Sequence, residues 1–133
     1  MSTHATITIF DQKHSTLHTI YCHYDGDFSE AGRILKEHYT SEEKINALIE
    51  LGNISTLGAE VSTDQPHTFN NRVESVTVAY VRDREDTLEY NLTERFISLQ
   101  EFIDEAVFEE FNYVFINGVW KSFDPKTHQF SDF

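Results

Sequence analysis

The stretch IYCHYDGDFSEAGRILKEHY (residues 20–39) decides the predicted fold, because it changes from a strand pattern to a helix pattern within a few residues. Its first residues complete a strand that alternates over residues 17–24. Asp25, Gly26 and Asp27 then break that strand, and Asp27 or Ser29 is placed to cap a helix. The helix is indicated by a stripe of residues at helical spacing, namely Phe28, Ala31, Ile34, Leu35 and His38.

A second strand precedes this stretch and pairs with it as a hairpin. Residues 5–11 (ATITIFD) alternate as a half-buried strand does, and the turn QKHST connects them to residues 17–24. Because side chains alternate along a strand, one face is predicted to carry His18, Ile20, Cys22 and Tyr24. The other face is predicted to carry Thr19, Tyr21, His23 and Asp25.

Two further helices are marked by capping signals. In TSEEKINALIELGNI, Thr40 and Glu43 have the spacing of a capping box, and Gly52 stands where a left-handed C-terminal cap belongs. Ser98 and Glu101 repeat the capping-box spacing before a third helix. The buried stripe predicted for that helix is Leu99, Phe102, Ile103 and Ala106.

The remaining segments complete an α+β prediction for one domain over residues 1–133. Residues 58–72 are predicted as a long loop, residues 73–82 as a central strand, and residues 84–95 as a segment that adds an edge strand. Asn117-Gly118 between two apolar runs predicts a type I′ hairpin turn. These signals favour an antiparallel sheet with about three helices packed on it.

Composition narrows the function classes. The 133 residues carry a net charge of −13 with an isoelectric point near 4.7, which disfavours direct binding of nucleic acid. A single cysteine excludes an intramolecular disulfide, and the start of the chain lacks the pattern of a signal peptide. No apolar run is long enough to span a bilayer, so the expected location is a cytoplasm.

Two clusters are candidate chemical sites, namely residues 22–25 and the charged residues 82–86. Cys22 and His23 point to opposite strand faces and cannot pair, and the two groups His23 and Asp25 are too few to hold zinc. We therefore predict no catalytic residue, no metal and no cofactor; phosphate-loop, dinucleotide and hydrolase motifs are also missing. A ligand site, with aromatic groups and arginines for a nucleotide, would use Tyr21, His23, Asp25, Arg82 and Arg84.

Both clusters could also have a purely structural role in place of a chemical one. Residues 23–25 suit a strand end and a helix start, and the charges of residues 82–86 could simply pair with one another at a solvated edge.

The acidic surplus is concentrated late in the chain. Between residues 83 and 110 lie ten acidic residues, opposed only by Arg84 and Arg95. If Leu99, Phe102, Ile103 and Ala106 of the third helix face the core, the acidic residues beside them face solvent and can contact a partner. This predicted acidic face consists of Glu101, Asp104, Glu105, Glu109 and Glu110.

Several motifs together resemble a group of small acidic proteins from bacteriophages and prophages. They are IYCHYDG with GRILKEHY, ALIELGNISTLG, TVAYVRDRE and FEEFNYVFINGVW, in this order. The group reads close to YCHWDGYP, LGDISSLG, YHRDRGE and EEYNYLF at these places.

This chain departs from it at Tyr24 (Trp in the group), Asp27 (Tyr), Val81 (His) and Glu85 (Gly). If the group shares a ligand site built from those positions, it is altered here. The resemblance implies a phage origin and action inside a bacterial host.

These observations favour a binding protein over an enzyme. The leading hypothesis is an inhibitor of a host defence or nucleic-acid-handling protein, of the anti-CRISPR or anti-restriction type, which mimics nucleic acid towards a basic surface. The first alternative is a small-ligand binder that sequesters a nucleotide signal, and the second is a small metal-dependent enzyme. Whether the chain forms a homodimer is left open.

Overall fold

The computed structural model describes residues 3–133 and contains a mixed sheet with helices packed on both faces. The helices are α1 (Arg33–His38), α2 (Glu42–Glu50), α3 (Tyr80–Arg84) and α4 (Leu99–Glu105), with a π-helical turn at Phe28–Gly32 and a 3₁₀ turn at Leu88–Tyr90. The strands are β1 (Ala5–Asp11), β2 (Thr16–Cys22), β3 (Ile54–Thr56), β4 (Val78–Ala79), β5 (Glu94–Phe96), β6 (Phe111–Ile116), β7 (Val119–Asp124) and β8 (Gln129–Ser131). No helix within this part of the chain is long and apolar enough to cross a membrane.

The sheet is mixed, which corrects the prediction of an antiparallel sheet. Its strand order is β4-β3-β2-β1-β6-β7-β8, and β5 also pairs with β2. The β1–β2 hairpin is antiparallel as predicted, but β1 pairs with β6 in parallel, as does β2 with β3. Hairpin signals report only neighbouring strands, so the pairing of Ala5 with Phe111 had no local signature.

Strand alternation divides the apolar residues between two cores. On one face, Ile7, Ile9 and Ile20 pack beneath the helices that supply Leu35 and Leu48. On the other face, a cluster of Leu17, Phe96, Phe102, Val114 and Phe123 forms around α4. This second core covers only one end of its face. At the other end the sheet presents buried polar residues, namely Thr6, Thr8, Thr19 and Asn112.

The predicted helix ends are confirmed with two changes. Ser98 accepts a hydrogen bond from the N–H of Glu101 at 3.0 Å, and Gly52 has a φ of +78°. A side chain at Gly52 would also meet the carbonyl oxygen of Asn91. The cap of α2 is Ser41 rather than Thr40, because the Ser41 hydroxyl accepts from the N–H of Lys44. Asp27 is the N-cap of the π-helical turn but makes no side-chain capping bond.

The strand predicted over residues 73–82 is wrong for most of its length. Val78–Ala79 forms a two-residue strand at an edge of the sheet, and Val76 makes only an isolated bridge with Glu60. Tyr80 then begins α3, a helix that the sequence pattern did not predict. The carboxylate of Asp83 accepts a 2.8 Å hydrogen bond from the N–H of Ala79, which ties the helix back onto the strand end. The apolar composition of the segment reflects its burial, since residues 76–79 are buried.

The hairpin predicted at Asn117-Gly118, which joins β6 to β7, is confirmed. Asn117 and Gly118 both have positive φ, 55° and 79°, as a type I′ turn requires, and Ile116 pairs with Val119. The edge strand expected within residues 84–95 corresponds in part to β5. The sequence pattern did not predict β3 or β8, which have three residues each.

Candidate binding groove at the split edge of β2

A groove opens where the outer edge of β2 changes its partner. β5 pairs with Leu17, His18 and Thr19, whereas β3 pairs with β2 only at Cys22. Between these two pairings the N–H of Tyr21 donates to the side-chain oxygen of Asn53 at 3.0 Å. The interruption leaves a cavity of about 260 Å³ beside the strand.

The register of the strands explains which side chains line the groove. Thr6 stands opposite Tyr21, and Thr19 stands opposite Glu94, so these four residues lie on one face of the sheet. The segment that follows α4 crosses the same face and closes the groove. The complete lining is Thr6, Thr19, Ile20, Tyr21, Asn53, Glu94, Phe96, Ala106, Val107 and Glu109.

A hydrogen-bonded cluster of Tyr21, His4 and His23 adjoins the groove. The imidazole rings of His4 and His23 stack with centroids 4.6 Å apart, and Tyr24 packs edge-on against His23 at 4.4 Å. Nδ1 of His4 lies 2.7 Å from the carbonyl oxygen of His23 and must therefore carry the hydrogen. The hydroxyl of Tyr21 lies 2.7 Å from Nδ1 of His23 and 3.0 Å from Nδ1 of His4.

Burial favours the uncharged forms of Tyr21 and His23 near neutral pH. Burial, aided by the negative charge of Glu109, raises the pKa of Tyr21 to about 12. Burial and the neighbouring His4 lower the pKa of His23 below its usual value of 6.5. Both side chains are therefore predominantly neutral at pH 7.

Of the five residues predicted to bind a ligand, the structure places only Tyr21 and His23 in direct contact. Tyr21 and His23 are hydrogen-bonded to each other, as their shared strand face suggested. Asp25 is not among the groups bonded to His23; it adopts a φ of +56° at the turn that ends the strand. Its backbone oxygen accepts from the N–H of Ala31, which supports the interpretation of this region as a strand end and helix start.

Arg82 and Arg84 are placed apart from the groove, among loops next to α3. All five N–H groups of Arg82 donate within the protein: two to the carboxylate of Asp83 and the others to Val61 O, Ser62 Oγ and Thr77 O. In this arrangement Arg82 keeps no donor free for a phosphate. Arg84 lies over the ring of Phe69 at 4.8 Å and pairs with Asp86 at 3.6 Å.

Arg82 and Asp83 form an ion pair at 2.8 Å, named here the Arg82–Asp83 anchor, and Asp83 does not contribute to an acidic surface. Its side chain is only 3% exposed and lies 3.5 Å from Nε2 of His67, which sequence reasoning missed. Burial opposes ionisation of Asp83, but hydrogen bonds from Arg82 and Ala79 outweigh it and hold its pKa below the usual value. Nδ1 of His67 accepts from the N–H of Val73, so this histidine links the loop to the anchor.

The predicted acidic face spans α4 and the segment before β6. Asp104, Glu105 and Glu110 are exposed, whereas Glu101 and Glu109 are half-buried. Within residues 3–133, none of the five forms an ion pair. Glu109 lines the groove beside Tyr21, so the structure brings together one residue from each predicted site.

Cys22 and the histidines offer little for metal binding or nucleophilic chemistry. Cys22 is fully buried, burial raises the pKa of its thiol to about 12, and Sγ donates to the carbonyl oxygen of Tyr24. Across the described part of the chain, no group of three or more His, Cys, Asp or Glu side chains is arranged to hold a metal ion.

His4, Asn53, Glu94 and Val107 were also missed as site residues. One signal could have found His4, because the hairpin register that pairs Ala5 with Cys22 places His4 beside His23. The other three residues carry no local motif and are assembled only by the tertiary fold.

Comparison with protein-family models, curated proteins and solved structures finds no match for this chain.

Proposed function

We propose that this chain is a phage- or prophage-encoded binding protein that inhibits a defence or nucleic-acid-handling protein of its bacterial host. The resemblance in sequence supports the phage context. The observation that carries the binding role is the acidic face, whose carboxylates form no ion pair within residues 3–133. Carboxylates without a neighbouring cation attract a basic surface and speed its encounter.

Exposed apolar side chains accompany the acidic face, as expected for a protein interface. Val107, between α4 and β6, is 72% exposed, and Ile97, just before α4, is 64% exposed. Protein interfaces combine apolar contacts with a polar surround. The partner would therefore offer basic side chains together with some apolar contact area.

A nucleotide-sequestering role has less support. Tyr21 does line a groove, and a phenol could stack on a base. The arginines that would hold the phosphate, however, lie elsewhere, and Arg82 is engaged by Val61, Ser62, Thr77 and Asp83. The groove itself is lined by two glutamates and by no arginine or lysine, which disfavours an anionic ligand.

Charge reversal of the acidic face tests the proposal. Immobilised wild-type protein would be compared with a variant that changes Asp104, Glu105, Glu109 and Glu110 to Lys. Both would be exposed to a bacterial lysate at low and moderate salt. We expect the wild type to retain a nucleic-acid-handling protein that competing duplex DNA displaces. Added salt should weaken this binding, and the reversed variant should lose it.

A matched variant controls for net charge. It changes four exposed acidic residues outside the face to Lys, namely Glu37, Glu50, Asp64 and Glu74. This variant should retain the partner, because its charge change is equal but lies elsewhere. If the reversed face binds as tightly as the wild type, or if both variants lose the partner equally, the proposed role of this face is wrong.

A further inference from the structure

We infer that the groove beside Tyr21 receives one long cationic side chain, an arginine or a lysine, from the protein partner. The inference deepens the proposed function and rests on it for the existence of a partner. The chemistry of the groove itself is argued from its own residues. It combines two carboxylates, neutral oxygen acceptors and apolar walls in one cavity of about 260 Å³.

The charge of the groove is negative on two separate walls. Glu94 stands on β5, and Glu109 stands on the segment between α4 and β6. Neither forms an ion pair within residues 3–133, and the ten lining residues include no lysine, arginine or histidine. An ion pair in a partly enclosed site is stronger than the same pair in bulk water.

Tyr21 adds a neutral acceptor to this site. The oxygen of its neutral hydroxyl can accept a hydrogen bond from a group in the groove. A guanidinium or ammonium group carries donors alone and suits such an acceptor. His23, uncharged at pH 7, brings no competing positive charge to this wall.

The apolar lining suits the stem of a long cationic side chain better than a bare ion. Phe96, Ala106 and Val107 line the same groove as the two glutamates. Arginine and lysine lay their methylene groups along apolar surface and keep the charged end at polar groups. A calcium or magnesium ion, whose ligands are oxygen atoms of protein and water, would leave these apolar side chains without a partner. Charge complementarity therefore favours a side chain as the occupant.

A pair of peptide probes tests this inference without a protein partner. The first is acetyl-Gly-Gly-Arg-Gly-Gly-amide, and the second replaces arginine by citrulline, which keeps the shape but not the charge. Amide chemical shifts of the wild-type protein would be followed during titration with each peptide. We expect the arginine peptide to shift signals of Tyr21, Glu94, Val107 and Glu109. The citrulline peptide should shift them at least about tenfold more weakly.

Glutamine variants identify the groups responsible. Glu94→Gln combined with Glu109→Gln should weaken binding of the arginine peptide by about tenfold or more. Glu105→Gln, an exposed residue outside the groove lining, removes the same kind of charge and should leave binding unchanged. Equal binding of both peptides, full binding by the double variant, or shifts confined to other regions would overturn the inference.

The two proposals fail separately. If charge reversal of the acidic face abolishes binding of a host protein while Glu94→Gln with Glu109→Gln leaves that binding intact, the proposed function stands and the cationic anchor is wrong. If the arginine peptide occupies the groove but no host protein depends on the acidic face, the groove chemistry stands and the proposed function is wrong.

Discussion

The hydroxyl group of Tyr113 on β6 donates a 2.6 Å hydrogen bond to the carbonyl oxygen of Gly26. This buried contact ties the turn after β2 to a strand almost ninety positions later in the chain. Gly26 also lies so close to β1 that a side chain there would meet Cβ of Ala5 at 2.6 Å. The turn that looked reactive in sequence is thus a junction between three strands.

Tyr113→Phe should lower the free energy of unfolding by about 1–3 kcal/mol, because the carbonyl of Gly26 would lose its buried donor. Denaturant unfolding measures the change. Tyr24→Phe serves as a control, since Tyr24 is 42% exposed. Equal stability of the Tyr113→Phe protein and the wild type would contradict the importance of this bond.

Asp83→Asn should lower the free energy of unfolding by about 2 kcal/mol at pH 7, because the carboxylate accepts charged hydrogen bonds from Arg82. The pKa of folded Asp83 lies below its usual 3.8, so this stabilisation is complete well above pH 3.8. It is lost as the pH falls through the folded pKa. Unfolding curves measured from pH 7 to acid should therefore converge for the two proteins.

Asp86→Asn is the matched control for this anchor, because Asp86 pairs with Arg84 at the surface. Exposed ion pairs contribute little, so its stability should follow that of the wild type at every pH. A constant difference between Asp83→Asn and wild type down to the lowest pH would show that charge is not the cause.

Gly118→Val should lower the free energy of unfolding by about 1 kcal/mol or more, since a β-branched residue resists positive φ. No atom lies within 4 Å of the position where its Cβ would stand, so backbone strain alone accounts for the cost. Gly118→Asn should lose less, because asparagine tolerates this conformation. Thermal unfolding of the three proteins provides the test, and an unchanged midpoint for valine would refute it.

Glu85→Gly should raise the free energy of unfolding by roughly 0.5 kcal/mol. Glu85 ends α3 with a φ of +59°, a conformation that glycine adopts without strain. The gain is partly offset by the greater freedom of glycine in the unfolded chain. Glu85→Ala should bring no gain.

Cys22 should react with a thiol reagent at neutral pH only when the protein unfolds, since its thiol is fully buried and its pKa is raised to about 12. Labelling followed across a denaturant series should track the unfolded fraction. Rapid labelling of the native protein would show instead that this strand face opens to solvent.

Local signals predicted the elements whose geometry depends on neighbouring residues. The β1–β2 hairpin follows from alternation on both sides of a short turn, and Asn117-Gly118 specifies positive φ by its own residue types. Ser98 and Gly52 mark helix ends because they satisfy or relax the backbone at their own positions. Within the candidate site, the common face of Tyr21 and His23 was predicted for the same reason.

Tertiary contacts alone decided the remainder. The segment at residues 73–82 looks like a central strand, yet Asp83 and Arg82 bind its backbone and surrounding loops, so a helix begins at Tyr80. The parallel pairing of β1 with β6 joins distant residues that share no local pattern. Glu94 and Glu109 face one groove because β5 and β3 divide the edge of β2 between them. Sequence determines such a site only through the free energy of the whole fold, since no short stretch contains both of its walls.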